Sequence, residues 1–325
     1  MKRLPRFLHA ASVGLVIGLV LLGLWIFLAE PNMLTLRRTE IELPDLPPEL
    51  DGMRIAFISD LHAFPEPDCP KLLKRISDAV RAENPHLILF GGDFVHGTVA
   101  MDRKQTLPEL TAYLKTFSAP LGRFAVLGNH ELWHDRQLIR RSVEAAGCPV
   151  LTGEVRSLRF RGQDIHLLGI DDFNSSPKGE NSVPEAIPET GTVIALAHAP
   201  GSLQFLPPHR NILMFSGHTH GGQIRIPGAF PLRTNPFSRH PVDAEGNRPD
   251  RDPKQEYDYC YDKGLYQLRG NRVFVSSGVG GDRITARLGC FPEIVFATLR
   301  CPGKASAPER FQQLYETRKK EYDSR

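Results

Sequence analysis

The feature that most constrains the fold is a recurrence: five short polar motifs, each placed where an apolar run gives out. In chain order they are Asp60-Leu61-His62, Gly91-Gly92-Asp93, Gly128-Asn129-His130-Glu131, His198-Ala199-Pro200 and Gly217-His218-Thr219-His220. The runs 54–58, 86–90 and 124–127 read as strands before the first three motifs. Between the first two, Leu72, Leu73, Ile76 and Val80 recur at helical spacing until Asn84-Pro85 stops the helix. Further helices are expected around 107–117 and from about 132 to 146. That alternation predicts an α/β core. The second half is richer in strands, expected at 157–160, 164–170, 192–197, 211–215, 264–268, 272–276 and 294–299, so two sheets are expected rather than one.

Motifs that follow strands fall at the carboxyl ends, where open α/β sheets form their ligand crevices. Together they supply carboxylate, amide and imidazole groups, the ligand mixture that holds a pair of divalent metals. In Asp60-x-His62 an extended backbone would aim both side chains the same way, toward one ion. Asp93 follows two glycines that permit a sharp turn, and its two oxygens suit it to bridge two cations. Asn129 offers a neutral amide oxygen, and His198, His218 and His220 complete the set. Of the other histidines, His9, His86, His166, His209 and His240 are read as structural. His96 and His134, close in sequence to Asp93 and His130, are candidate substrate contacts or loop residues.

One pattern points elsewhere. His130-Glu131-Leu132-Trp133-His134 has the His-Glu-x-x-His spacing of zinc proteases, in which two histidines one helical turn apart bind the metal. That chemistry needs an established helix, whereas 126–129 reads as strand end and turn, leaving His130 at a helix start or before it.

At 325 residues, with 41% hydrophobic and 24% charged content, the chain can bury a full core as one large catalytic domain. Its 40 basic and 37 acidic residues are spread without a dense basic block, so no nucleic-acid partner is expected. Cys69, Cys148, Cys260, Cys290 and Cys301 are widely spaced and signal neither a disulfide framework nor a zinc ribbon; buried or free thiols are expected.

Residues 10–29 carry no charge and are long enough to span a bilayer as a single anchor. A cleaved signal peptide would have a shorter apolar stretch and a small-residue site, and Phe27-Leu28-Ala29-Glu30-Pro31 offers a poor one. Lys2, Arg3 and Arg6 before the run, against Arg37 and Arg38 after it, give only a slight bias toward a cytoplasmic amino terminus. The organisation expected is a basic amino terminus (1–9), the anchor (10–29), a proline-punctuated lead-in (30–52) with a short edge strand at 41–43, the domain (53–302) and a charged tail (303–325). A proline-rich excursion at 227–262 follows the last motif and is read as a surface insertion.

At these residues the chain resembles the calcineurin-like metallophosphoesterases, whose signature of Asp-x-His, Gly-Asp, Gly-Asn-His-Asp/Glu, His and Gly-His-x-His is present in full. The likeness covers about 54–300, and the runs 217–223 and 289–294 look like the membrane-associated bacterial branch. The resemblance implies a four-layer α/β/β/α sandwich with two divalent metals (Mn, Fe or Zn) at its edge. One metal would take Asp60, His62, Asp93 and His220, the other Asp93, Asn129, His198 and His218. It implies in-line attack by metal-activated hydroxide on a phosphodiester or pyrophosphate. His130, oriented by an acidic partner, would stabilise the phosphoryl group or protonate the leaving oxygen. An anchored member at the bacterial inner membrane would meet lipid-linked or envelope substrates, UDP-2,3-diacylglucosamine being one that the branch cleaves. A metal-retaining membrane scaffold without catalysis is the alternative.

Overall fold

The computed structural model describes residues 6–63, 69–97, 101–171, 183–184, 186–225, 261–281 and 285–306. The amino-terminal helix α1 (Arg6–Leu24) runs through a π-helical stretch (Trp25–Ala29) and a 3-10 turn (Glu30–Asn32). Over Leu8–Asn32 it is long and apolar enough to cross a membrane, and it lies outside the core.

From Thr35 onward the chain builds two sheets. The first contains β1 (Thr35–Glu42), β2 (Arg54–Ile58), β3 (Leu87–Phe90), β4 (Arg123–Ala125) and β11 (Glu293–Arg300), in the order β1-β11-β2-β3-β4. The second contains β5 (Glu154–Phe160), β6 (Gln163–Ile170), β7 (Thr192–Ala197), β8 (Leu213–Ser216), β9 (Gly264–Leu268) and β10 (Asn271–Val275), in the order β5-β6-β7-β8-β10-β9. Strands β2, β3 and β4 are mutually parallel, as are β6, β7, β8 and β10. All-buried strands such as Leu87–Phe90 and Thr192–Ala197 lack polar alternation because both of their faces are covered.

Three helices cover the outer face of the first sheet: α2 (Cys69–Glu83), α3 (Arg103–Leu114) and α4 (Arg136–Ala145). Ile76, Val80, Leu110, Leu114, Ile139 and Val143 bury against Ile88 and Phe90. The middle of the sandwich is filled by Ile41, Leu50, Phe57, Leu89, Ile194, Phe215, Phe274 and Leu299 from both sheets. Full burial of each such side chain contributes about 1.5–3 kcal/mol. The outer face of the second sheet is covered, among the described residues, by the 3-10 segment Pro200–Phe205 and by Tyr261, which packs on Tyr266 of β9.

Three local expectations shift. The lead-in supplies a full eight-residue strand, β1, paired in parallel with β11 along its length, where only 41–43 reads as strand in isolation. Helix α3 starts at Arg103 because the Asp102 carboxylate accepts from the Lys104 N–H at 3.0 Å. The expected helix 132–146 divides into a 3-10 turn (His130–Trp133) and α4, whose own cap is Asp135, accepting from Leu138 N–H at 3.1 Å. Residues 226–260, nearly all of the excursion, and 307–325 of the tail lie outside the described residues, as does His240. Cys148, Cys290 and Cys301 are buried free thiols.

Candidate metal centre

The carboxyl ends of β2, β3, β4, β7 and β8 meet at one edge of the sandwich, and each carries one of the motifs. Two glycines permit the approach. A Cβ on Gly128 would run into the Asp93 carboxylate and lie 2.7 Å from His198 Nε2, and one on Gly217 would collide with Asp60. Asp60, His62, Asp93, His130, His198, His218 and His220 are all buried, and Asn129 is half-buried.

Their inward atoms form three overlapping groups with ligand atoms within 4.8 Å of one another: Asp60, His62 and His220; His62, Asp93 and His130; Asp93, His198 and His218. His62 Nε2 faces His220 Nε2 at 3.2 Å, and His198 Nε2 lies 3.1 Å from both His218 Nδ1 and Asn129 Oδ1. Asp93 Oδ2 sits 3.2 Å from His198 Nε2 and 3.6 Å from His62 Nε2, and Asp60 Oδ1 sits 3.7 Å from His220 Nε2.

The outer nitrogens decide which atoms are lone pairs. His198 Nδ1 donates to the Gly91 carbonyl at 2.7 Å, His62 Nδ1 to Val95 O at 3.3 Å and His220 Nδ1 to Gly280 O at 3.3 Å. A ring that spends its proton outward turns an unprotonated Nε2 inward. The pocket is therefore lined with acceptors facing acceptors at hydrogen-bond distance. A cation relieves that arrangement, so the donor set fits divalent metals.

Electrostatics agree. Burial, reinforced by neighbouring histidines, holds the His62 and His218 imidazoles well below their usual range; for His220 burial acts with Arg287. Burial raises the Asp60 carboxyl and pushes Asp93 up to about 7, against the attraction of His198. Two carboxylates in a water-poor site are only partly offset by His198 and, for Asp60, by Arg287.

Backbone geometry adds a cost that the motifs alone do not reveal. Asp60, His62, Asp93, His218 and His220 have φ of 55°, 42°, 52°, 70° and 51°. Asp60 and His62 therefore converge through left-handed backbone rather than through extended alternation. Such conformations cost about 1–2 kcal/mol per residue and collect at functional sites.

His130 differs from the other rings. Its Nδ1 accepts from the Gly97 N–H at 2.8 Å, and an amide can only donate, so the ring proton of the neutral imidazole sits on Nε2. That Nε2 lies 3.9 Å from Asp93 Oδ2. The partner that fixes its tautomer is thus a backbone amide. Trp133, an exposed aromatic, packs on the same ring with centroids 4.5 Å apart and planes tilted by 35°.

His96 is buried beside the cluster, 5.8 Å from the His62 ring and 6.1 Å from that of His130. His134 turns away, its Nε2 donating to the His96 carbonyl at 3.0 Å. Among the described residues it joins none of the three groups. With His130–Trp133 in a 3-10 turn, the two histidines of the His-Glu-x-x-His pattern do not share an α-helical face.

Two important residues lie outside the expected ligand set. Glu131 is fully buried and accepts from the N–H groups of Asp93, Phe94 and Gly128 at 3.1, 2.8 and 2.6 Å, cementing the β3 and β4 turns. Its place in the Gly-Asn-His-Glu motif was the available clue. Arg287, 1% exposed, sits behind Asp60 and donates to the carbonyls of Ser277 and Gly280, and nothing in its local sequence marks it.

The chain matches the calcineurin-like phosphoesterase profile over residues 53–222, more than half its length. It belongs to that family. Metallophosphoesterases hydrolyse phosphoesters at a dimetal centre, and the groups of Asp60, His62 and His220 and of Asp93, His198 and His218 are able to bind metal. UDP-2,3-diacylglucosamine pyrophosphatase LpxG of Chlamydia muridarum is 29% identical over 260 residues, 66% of this chain and 77% of the relative. Phosphodiesterase YaeI of Escherichia coli is 29% identical over 252 residues, 76% of this chain and 82% of the relative. Among solved structures, a dimetal phosphatase from Danio rerio aligns with a TM-score of 0.41 at 11% identity, covering 72% of this chain and 89% of that one.

Proposed function

We propose that this metallophosphoesterase is a membrane-anchored hydrolase of a phosphodiester or pyrophosphate in an amphiphilic, lipid-linked substrate. The observation that carries the reading is the convergence of unprotonated Nε2 atoms and carboxylate oxygens on one buried pocket. Asp60, His62, Asp93 and His220 would hold one cation, and Asp93, Asn129, His198 and His218 the other, with Asp93 shared. Bound there, two cations such as Mn, Fe or Zn supply Lewis-acid polarisation of the phosphoryl oxygens and a water acidified toward neutral pH.

The protein's own groups divide the remaining work. Glu131 fixes the turns that aim Asp93 and Asn129. The carbonyls of Gly91, Val95 and Gly280 hold three imidazoles in the tautomer that faces inward. His130 presents Nε2–H to the same pocket. A neutral imidazole is a far better hydrogen-bond donor than proton donor, so charge stabilisation on the transferring phosphoryl group fits it better than protonation of the leaving oxygen. His130→Ala should retain its metals and lose about 10²–10³ in kcat.

The substrate class rests on two supports: a helix fit to span a membrane that joins the domain without a linker, and relatives named for a diacylglucosamine nucleotide pyrophosphate and for phosphodiesters. By this reading the enzyme resides in a bacterial inner membrane. The test is hydrolysis by the full chain in detergent, with Mn(II), of UDP-2,3-diacylglucosamine and of a soluble aryl phosphodiester. Preference for the amphiphile by kcat/KM supports the reading. Equal turnover of both would remove the lipid-linked substrate and leave the phosphoesterase.

A further inference from the structure

The base of the apolar helix is built into the wall of the site. Glu30 is 1% exposed although it ends a helix that is otherwise uncovered. Its Oε2 accepts from the Trp25 indole at 2.8 Å, and its Oε1 accepts from the Cys290 N–H at 2.8 Å, 260 residues away. Beside it the Arg287 N–H donates to the Ile26 carbonyl at 3.0 Å, and the Thr35 N–H donates to Pro292 O at 2.8 Å. Arg75 of α2 closes the other side, donating to Asn32 O at 3.1 Å.

The segment Glu30 grips leads directly to the cluster. Cys290 Sγ donates to the His220 carbonyl at 3.3 Å. The Arg287 guanidinium donates to Ser277 O and Gly280 O. Gly280 in turn donates to the Asp60 carbonyl at 2.6 Å and accepts from His220 Nδ1 at 3.3 Å. Two short relays therefore run from the helix base, one through Cys290 to His220 and one through Arg287 and Gly280 to Asp60 and His220. Neither bonds a side-chain donor of Asn129, His198 or His218 among the described residues; the one link onward is the His218 backbone N–H, which donates to the Asp60 carboxylate at 3.0 Å.

We infer that Glu30 is a positioning residue, holding the 287–290 segment so that Asp60 and His220 keep their cation-receiving geometry, and that the membrane anchor is thereby part of the catalytic fold. The inference rests on the metal-binding reading above. Partners bonded directly to a ligand change metal affinity by about 10- to 100-fold; Glu30 acts one link further back, through Cys290, so the lower end of that range applies.

The experiment is an EPR titration of Mn(II) into the metal-free full chain in detergent micelles, for the parent and for Glu30→Ala, Glu30→Asp and Glu30→Gln. The parent should bind two ions. Glu30→Ala, and Glu30→Asp whose shorter arm does not reach Cys290, should weaken one class of site about 10-fold or more and leave the other within about two-fold. Glu30→Gln, which keeps an oxygen for the Cys290 N–H, should stay within about three-fold of the parent at both. Should Glu30→Ala fail to accumulate, the aspartate and glutamine pair gives the same contrast. Unchanged affinities in the folded variants, or equal weakening at both sites with no rescue by glutamine, would overturn the inference. A parent that binds no Mn(II) would overturn the metal reading and this inference with it, an outcome distinguishable because it needs no variant.

Discussion

At the scale of single residues, Asp93 sets the pH behaviour. Burial, opposed by His198, pushes its carboxyl up to about 7, while His62, His218 and His220 are held well below the usual histidine range. Those three histidines are thus proton-free near neutrality, and the protons that cations must displace sit on the raised carboxyls, Asp93 foremost. Metal affinity should be level above about pH 8 and fall about tenfold per unit as pH drops below 7. Calorimetry in buffers of different ionisation enthalpy should register uptake by the buffer of about one proton per loaded centre near pH 6. Glu131 makes a separate prediction. Its removal strips the acceptor from the buried N–H groups of Asp93, Phe94 and Gly128. Glu131→Ala should lower the unfolding free energy by roughly 3 kcal/mol or more, read by urea denaturation of the metal-free protein. The ligand types were legible in the sequence because metal donors are few and their motifs stand out. Arg287 and Glu30 were not, since a buried charge is recognised by partners far along the chain, and local sequence does not name them; Glu131 stood in its motif, but its role as acceptor for three buried N–H groups could be read only from those partners.

At the scale of elements, the close approach of the strand ends matters most. A methyl group at Gly128 would displace the Asp93 carboxylate and crowd His198, and one at Gly217 would push on Asp60. Gly128→Ala and Gly217→Ala should each weaken metal retention at least about tenfold while leaving the far-ultraviolet spectrum intact, measured as metal content after dialysis. His134→Ala supplies the contrast: its ring bonds to the His96 carbonyl, so full metal content should survive, whereas a zinc protease would lose it. Strands β7 and β9 were readable to the residue, β7 as a continuous apolar run and β9, with its exposed Gln267, as a short run bounded by Gly264 and Gly270. The split between the turn His130–Trp133 and α4 was not, because Asp135 takes over as cap and restarts the helix. Strand β1 was underestimated for a different reason. Thr35–Glu42 alternates charge with few apolar residues, and its strand character comes from its ladder with β11 near the other end of the chain.

At the scale of the whole molecule, the amino-terminal segment contributes in two parts. Among the described residues the apolar helix through Leu24 buries none of its side chains, but 25–52 closes one side of the sandwich: Ile41, Leu43, Leu46 and Leu50 are buried, and β1 covers the edge at β11. Removing residues 1–24 should leave thermal stability nearly unchanged in detergent. Removing 1–52 should cost roughly 6 kcal/mol or more, seen as a large fall in Tm. The two-sheet architecture was legible from the count and rhythm of the strands; which strands share a sheet was not, because pairing is settled by distant partners. The backbone of the site also bears on the protein as a material. Five inward-facing donors sit on left-handed backbone, a conformation that glycine adopts freely. A laboratory selection for heat resistance alone would therefore find some of its largest gains at positions 60, 62, 93, 218 and 220, and each gain would remove a donor from the pocket. The most durable version of this fold and the working one are different molecules, and screens that seek hardier variants must score turnover alongside survival.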